Sequence, residues 1–308
     1  MKRLTREQLI PLDERYKVFE PAIEIEPGET LVVETINHMS SIVYSEEDLH
    51  PHGSPEYEER RETGPISVRG VEPGDVLAIR IDDIKIVGLP HAHGGGPLKE
   101  KFLQKPLIFP IKDGRCIFPG GLSIATRPMV GDIYTTPSSL NPLYFDHGGN
   151  MDFTEVRPGN TLFLPVFRSG GLLALGDVHA IQGDGEIYLE AAECAGEVTI
   201  TVDIDKTYNS PRPLVETPDT LISLAGRGKI FESIQLVMED MTSLISRLYK
   251  VSQQEAYISC SIVGSLRFGA CVAEQTLVEN RCLVGLSMPK EIGLNTYVPE
   301  KGEKNGGR

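Results

Sequence analysis

The feature that most constrains the fold is a Pro-Gly turn that occurs three times, at Pro27-Gly28, Pro73-Gly74 and Pro158-Gly159. Proline fixes a negative φ and glycine accepts a positive one, which suits the two central positions of a type II turn. A strand-like run follows each turn, at residues 31–36, 76–81 and 161–166. Repeated tight turns between short apolar runs are typical of β-sandwiches and β-barrels.

A fourth run, at residues 198–205, alternates apolar and polar side chains, the pattern of a strand with one buried face. The chain also contains 31 glycines and 22 prolines, which favour frequent turns. Residues 10–215 are therefore predicted to form a body of many short strands.

The pattern changes after about residue 217. Apolar residues recur every three or four positions between Ile230 and Leu248, which predicts an amphipathic helix. Ser252 and Glu255 form a capping-box pattern, so a second helix is expected to run to about Val263. The predicted fold is mostly β (α+β). A sandwich- or barrel-like body over 1–216 carries the site, a helical segment over 217–300 packs on it as one structural unit, and 301–308 form a disordered tail.

Composition excludes several classes of protein. The 308 residues carry a formal net charge of -14, which repels nucleic acid and anionic membranes. The chain shows neither a signal-peptide pattern nor an apolar run long enough for a membrane span, so a soluble cytoplasmic protein is expected. Five widely spaced cysteines without a CxxC pair argue against a disulfide framework and favour buried thiols.

Two short segments concentrate the side chains that carry chemistry. Residues 176–186 read Gly-Asp-Val-His-Ala-Ile-Gln-Gly-Asp-Gly-Glu, and Asp177 and His179 would share one face of an extended chain. Upstream, His147 and Asp152 flank two glycines and Asn150. Nitrogen and oxygen donors that converge in this way bind metals, and a carboxylate left over can act as a general base. We expect one site built from both segments.

Other candidates have two interpretations each. Asp184 lies between two glycines, so it is either a site residue or an aspartate that only caps a turn, as is common in this context. His91 and His93 form either a third metal-binding element or an exposed loop, and Arg127 is either a buried partner of a site carboxylate or a plain strand-edge residue. The sequence contains no Gly-x-Ser-x-Gly elbow, phosphate loop or Rossmann glycine pattern.

On these residues the chain resembles the acetamidase/formamidase family, over nearly its whole length and in the same order. The motifs that carry the resemblance are His-Gly-Gly-Asn-Met-Asp at 147–152 and Gly-Asp-x-His through Gly-Asp-Gly-Glu at 176–186. Supporting matches lie at residues 63–68, 71–77, 127–131, 255–257 and 265–267.

The resemblance implies a β-rich fold and hydrolysis of the C–N bond of a small linear amide such as formamide or acetamide, with release of ammonia. It also implies a divalent metal, zinc in the first place, with calcium as the alternative. Glu186 or Asp184 is expected to act as the catalytic acid or base, and which of the acidic residues is base and which is ligand stays open. The expected metal ligands are His147, Asp152, Asp177 and His179, and the expected substrate-binding or supporting residues are Asn37, Asn150, Gln182 and Arg127.

One departure from the family pattern keeps other functions open. Family members commonly have an aspartate early in the chain, in a Thr-Leu-Asp context, where this chain reads Thr-Ile-Asn with Asn37 in its place and His38 next to it. A neutral asparagine is a weaker ligand, and His38 is a candidate substitute. The alternatives are a hydrolase of a lactam or another C–N compound, a metal-dependent lyase or isomerase, and a non-catalytic protein that holds a calcium ion. We expect a small-molecule amide as ligand and a homo-oligomer, with a dimer as the first expectation.

Overall fold

The computed structural model describes residues 1–11, 17–37, 41–49, 61–98, 100–102, 105–137, 145–271 and 282–292. Within these ranges the chain is dominated by strands, and two helices lie near the C-terminal end. The strands are β1 (Lys2–Leu4), β2 (Leu9–Pro11), β3 (Ile23–Ile25), β4 (Glu29–Glu34), β5 (Arg61–Val68), β6 (Val76–Ala92), β7 (Leu107–Ile108), β8 (Ile111–Lys112), β9 (Arg115–Ile117), β10 (Ser123–Ala125), β11 (Met129–Thr135), β12 (Gly148–Asn150), β13 (Thr161–Pro165), β14 (Leu173–His179), β15 (Glu193–Ile204), β16 (Leu214–Glu216), β17 (Thr220–Arg227), β18 (Ser265–Phe268) and β19 (Cys282–Pro289), and the helices are α1 (Ile230–Tyr249) and α2 (Gln253–Val263).

The three Pro-Gly turns form as predicted. Gly28, Gly74 and Gly159 have φ values of 80°, 100° and 91°, in the region that favours glycine. Strands β4, β6 and β13 follow them. The second of these strands continues well beyond the predicted end at residue 81, and this extension carries His91 to the site.

One large sheet dominates the molecule, with the strand order β12-β11-β14-β15-β6-β13-β16-β17-β19-β18 along its main path. The pairings along this path are antiparallel, and the longest joins β15 to β6. Strands β8, β9 and β10 form a separate small sheet. The prediction of a mostly β protein is confirmed.

The two helices pack on the C-terminal part of the large sheet. Val237 and Met241 of α1 are fully buried in an apolar cluster with Leu221 of β17 and Val284 of β19. Ser252 caps α2 by accepting from the backbone of Glu255, as the capping-box pattern predicted. The division of the chain at residue 216 stays a prediction, and the tail 301–308 lies outside the described residues. Neither helix in the described part of the chain is long and apolar enough to cross a bilayer.

The cysteines differ from the expectation in one respect. Cys116, Cys194 and Cys260 are buried free thiols, but Cys271 and Cys282 form a disulfide. Strands β18 and β19 pair antiparallel, which brings Cys271, three residues past the end of the first strand, close to Cys282 at the start of the second. The prediction that all five are thiols is wrong for this pair, because cysteine spacing does not reveal which strands are neighbours.

Candidate metal centre

Sheet register aligns the residues of the centre in a row across three strands. His179 ends β14 and pairs with Glu193, which begins β15. Glu193 in turn pairs with His91 near the end of β6. Directly opposite residues of antiparallel strands present their side chains on the same face. Glu193 Oε2 accordingly lies 3.0 Å from His179 Nε2.

Two aspartates complete this side of His179. Asp177 Oδ1 lies 3.4 Å from His179 Nε2, and Asp152 Oδ1 lies 4.0 Å from the same nitrogen. Both aspartates crowd against Gly131 of β11, where a Cβ atom would lie only 2.5 Å from Asp152 Oδ1 and 3.0 Å from Asp177 Oδ2. Glycine at 131 therefore leaves the space in which the two carboxylates meet.

The loop after β14 supplies the other side of the imidazole. Gln182 Oε1 lies 2.7 Å from His179 Nδ1, and the Gln182 amide nitrogen donates to the backbone oxygen of Asp152. Glu186 Oε1 lies 3.9 Å from His179 Nδ1. When Nδ1–H donates to Gln182, the Nε2 nitrogen is the one turned toward Asp177 and Glu193 and available to a cation.

Three of these carboxylates stand on left-handed backbone. Asp152, Asp177 and Glu186 have φ values of 43°, 56° and 42°. Such conformations cost free energy in residues with a Cβ, and they concentrate at functional sites. This backbone geometry is a second indication, independent of residue type, that the cluster serves a function.

The electrostatics of the centre reflect crowded negative charge. Burial by itself would lower the pKa of the His179 imidazole, but the carboxylates of Glu193 and Asp177 outweigh it and hold that pKa well above its usual value. Burial, and then the charge of Asp152, raise the pKa of the Glu186 carboxyl well above its usual value. A divalent cation would relieve this repulsion.

The donor atoms fit such a cation. Two groups of three residues each bring one donor atom per residue within 4.8 Å of the others. The first group is Asp152, His179 and Glu186, and the second is Asp177, His179 and Glu193. An imidazole together with carboxylates suits zinc, whereas carboxylates alone suit calcium or magnesium. Because both groups contain His179, their five residues together are called the candidate metal centre.

Several predicted site residues have other surroundings. Asp184 accepts hydrogen bonds from Thr154, at 2.8 Å, and from the Arg267 guanidinium. Burial would raise the pKa of the Asp184 carboxyl, but these hydrogen bonds outweigh it and lower that pKa. Arg127 is exposed, so the interpretation of a buried arginine is wrong; its backbone N–H bonds to the Ala180 carbonyl, and its side-chain charge adds to the lowering of the Asp184 pKa.

The upstream motif is brought only partly into the centre. His147 is buried and faces the Tyr134 ring edge-to-face at 6.2 Å, and it does not belong to either donor group found among the described residues. Asn150 pairs with Asp132 across the β11–β12 ladder. The roles given to these two residues stay predictions.

A second polar group adjoins the row. His91 and His93 are buried, so the interpretation of an exposed loop is wrong. The Asn37 amide nitrogen lies 3.3 Å from His91 Nε2, and Asn37 Oδ1 accepts from the backbone N–H of Ser41. Glu190 accepts from the backbone N–H of His93. Asn37 thus orients a histidine beside Glu193, and its suggested substitute, residue 38, lies outside the described residues.

Sequence reasoning missed Glu193. It sits in a Glu-Cys-Ala context with no glycine or histidine beside it, so local composition did not single it out. The available signal was its position at the start of a strongly alternating strand, where a buried glutamate is unusual. Only the pairing with His179 shows its place in the centre.

This geometry defines a class of β-rich proteins with a buried centre of one imidazole and several carboxylates. The model of the Acetamidase/Formamidase family matches residues 122–224, which include most of the centre. Two crystal structures cover nearly the whole chain. A "predicted acetamidase/formamidase" from the thermophile Thermoanaerobacter tengcongensis is 30% identical with a TM-score of 0.84, over 94% of this chain and 96% of that one. An acetamidase from Bacillus halodurans is 29% identical with a TM-score of 0.81, over 94% of this chain and 98% of that one.

The chain therefore belongs to the acetamidase/formamidase family. Among curated relatives, a formamidase from Methylophilus methylotrophus is 36% identical over 96 residues, which cover 30% of this chain and 23% of that protein. The matched segments span about half or less of the length of the curated relatives.

Proposed function

We propose that this protein is a metal-dependent amidohydrolase that cleaves the C–N bond of a small linear amide and releases ammonia. The observation that carries the proposal is the convergence of Asp152, Asp177, Glu186 and Glu193 on His179 in a buried site. The names of the relatives, formamidase and acetamidase, support amides as the substrate class.

The cation would be held by His179 Nε2 with Asp177 and Glu193, and Asp152 is within reach of the same nitrogen. The mixed nitrogen and oxygen donors favour zinc over calcium. A bound divalent cation would polarise the amide carbonyl and lower the pKa of water near it.

Glu186 is the proposed general base. Its side chain is 9% exposed, the most of the four carboxylates, so it stands on the water-accessible side of the centre. A carboxyl whose pKa is raised by burial can accept a proton from the attacking water and return it to the leaving nitrogen. Gln182 holds the His179 ring during these steps through its hydrogen bond to Nδ1.

Asp184 is given a positioning role instead. Its carboxylate is engaged by Arg267 and Thr154, so it anchors the loop that carries Glu186 to strand β18. Asp184 and Glu186 are only two residues apart, and their variants therefore make a matched pair.

The test combines elemental analysis with ammonia release from formamide and acetamide before and after chelation. We expect bound zinc and chelator-sensitive release. Glu186→Gln should keep the metal and lose about 10²- to 10⁴-fold in kcat, whereas Asp184→Asn should keep most of the activity. Metal without ammonia from any amide would favour the lyase or isomerase alternative, and equal losses in the two variants would remove Glu186 from its special role.

A homo-oligomer is proposed on a separate observation. Phe231 of α1 and Tyr257 of α2 are 79% and 53% exposed and line one groove between the two helices, and contiguous exposed apolar patches mark protein contacts. Sedimentation equilibrium of the wild type and of Phe231→Ser tests it, since a monomer in both cases would contradict the proposal.

A further inference from the structure

A cleft of about 330 Å³ lies beside the metal centre. Its apolar walls come from the segment after β6 and from the loop between β14 and β15. The rings of the two phenylalanines in it pack against each other at a tilt of 33°, with centroids 4.5 Å apart. The apolar side chains that line it are Leu107, Phe109, Phe118, Ile181 and Tyr188.

The cleft and the centre share a wall. Gln182 lines the cleft, while its Oε1 atom lies 2.7 Å from His179 Nδ1. Ala191 also lines the cleft, and its backbone N–H donates to Glu193 Oε1 at 2.8 Å. The cleft therefore adjoins the centre through Gln182 and Ala191.

The other polar side chain of the wall, Glu190, turns away from the cleft into the protein. Glu190 lines the cleft, but its side chain is only 6% exposed and its carboxylate accepts from the backbone N–H of His93. Apolar side chains therefore dominate the surface that a ligand would meet, which suits an uncharged apolar group.

The size of the cleft does not match the smallest amides. Pockets for small molecules have volumes of about 300 to 1,000 Å³, so this cleft is within that range. A water molecule occupies about 30 Å³ in the liquid, and formamide and acetamide contain only three and four heavy atoms. They would leave most of the cleft empty.

We propose that the cleft receives the acyl group of the substrate, so that the preferred substrates are primary amides of medium-chain aliphatic or aromatic carboxylic acids. The inference rests on the proposed function. In that reaction R–CO–NH₂ and water give R–COO⁻ and NH₄⁺. The C–N bond breaks, a C–O bond forms, and the leaving nitrogen carries no substituent, so only the acyl side can fill an apolar cleft.

A substrate series tests the size preference. The values of kcat/KM are measured for formamide, acetamide, butanamide, hexanamide and benzamide. Each methylene buried in the cleft should raise kcat/KM about fourfold until the cleft is filled. A series that is flat, or that falls beyond acetamide, would overturn the proposal.

Variants of the walls locate the effect. Tyr188 lines the cleft and is 39% exposed, so Tyr188→Ala should fold normally. It should lower the ratio of the kcat/KM values for hexanamide and acetamide at least tenfold. Phe118→Ala should act in the same direction, and Tyr44→Ala, at a tyrosine that is 65% exposed and is not among the residues that line the cleft, should leave the ratio unchanged.

Binding separates this proposal from the proposed function. Calorimetric titration with hexanamide uses the Glu186→Gln variant, with and without Tyr188→Ala. Tighter binding of hexanamide than of acetamide, lost in the double variant, supports the cleft even if no amide is hydrolysed. Turnover of acetamide together with equal binding of the two amides would overturn the cleft proposal and leave the amidohydrolase intact.

Discussion

Gly131 offers a direct test of the centre, because it is the residue over which two of the carboxylates meet. A Cβ at this position would lie 2.5 Å from Asp152 Oδ1, whereas ordinary contacts begin at 3.4 Å. In Gly131→Ala the aspartate oxygen must therefore move by about 0.9 Å, the difference between these two distances. The φ of Gly131 is not positive, so alanine can adopt the backbone and the effect is steric.

A displacement of this size is large for a ligand. Metal sites tolerate deviations of about 0.2 Å in ligand distance, so we expect the zinc affinity of Gly131→Ala to fall by at least 10- to 100-fold. Overpacking should also cost about 1 to 3 kcal/mol of the free energy of unfolding. Competition with a fluorescent zinc chelator measures the affinity, and urea unfolding of the metal-free proteins measures the stability.

Gly183→Ala is the matched control. Gly183 lies in the loop of the same centre, but a Cβ there would meet nothing within 4 Å. Its zinc affinity should equal that of the wild type. If Gly131→Ala also binds zinc with wild-type affinity, then Asp152 and Asp177 do not meet at a metal and the proposed centre is wrong.

Three further predictions concern stability. Zinc at 100 times its Kd should stabilise the folded protein by about 2.7 kcal/mol, and Asp177→Asn should abolish the zinc-dependent rise in Tm measured by scanning fluorimetry. The folded-state pKa of Asp184 lies below the unfolded value of about 3.9, so its bond to Arg267 should stabilise the protein above that pH and lose this contribution as the pH falls through the folded pKa. The difference in Tm between the wild type and Asp184→Asn should therefore be constant above pH 5 and shrink as the pH falls from 5 to about 2. A difference that grows toward acid pH would contradict the assignment. Ser252→Ala should cost about 1 kcal/mol by removing the cap of α2, whereas Ser243→Ala on the exposed face of α1 should be near neutral in urea unfolding.

Local patterns were enough for the elements whose structure is local. The helix predicted from Ile230 to Leu248 is observed as Ile230–Tyr249, because periodic apolar spacing reports a single buried face. The three Pro-Gly turns form because φ preferences act within two residues. Asp177 and His179 do lie close together, although the left-handed backbone at Asp177 departs from the extended chain on which that expectation rested.

Features set by distant strands could not be predicted in this way. Glu193 joins the centre through its register with His179, and Asp184 finds Arg267 at a separation of 83 residues. The extension of β6 to Ala92, which carries His91, was missed because the strand continues past its last clearly apolar run. Each of these depends on which strands become neighbours, and periodicity along the chain carries no information about that.

The left-handed backbone at the three site carboxylates has a consequence for the evolution of this protein. Asp152, Asp177 and Glu186 each carry a conformational cost on the order of 1 kcal/mol, against a total stability of about 5 to 15 kcal/mol for a typical domain. Glycine at any of these positions would release that cost and delete a functional group at the same time. Selection for heat resistance without selection for turnover should therefore favour glycine at these three positions first. A heat-resistant but inactive relative would then be recognised by glycine at all three.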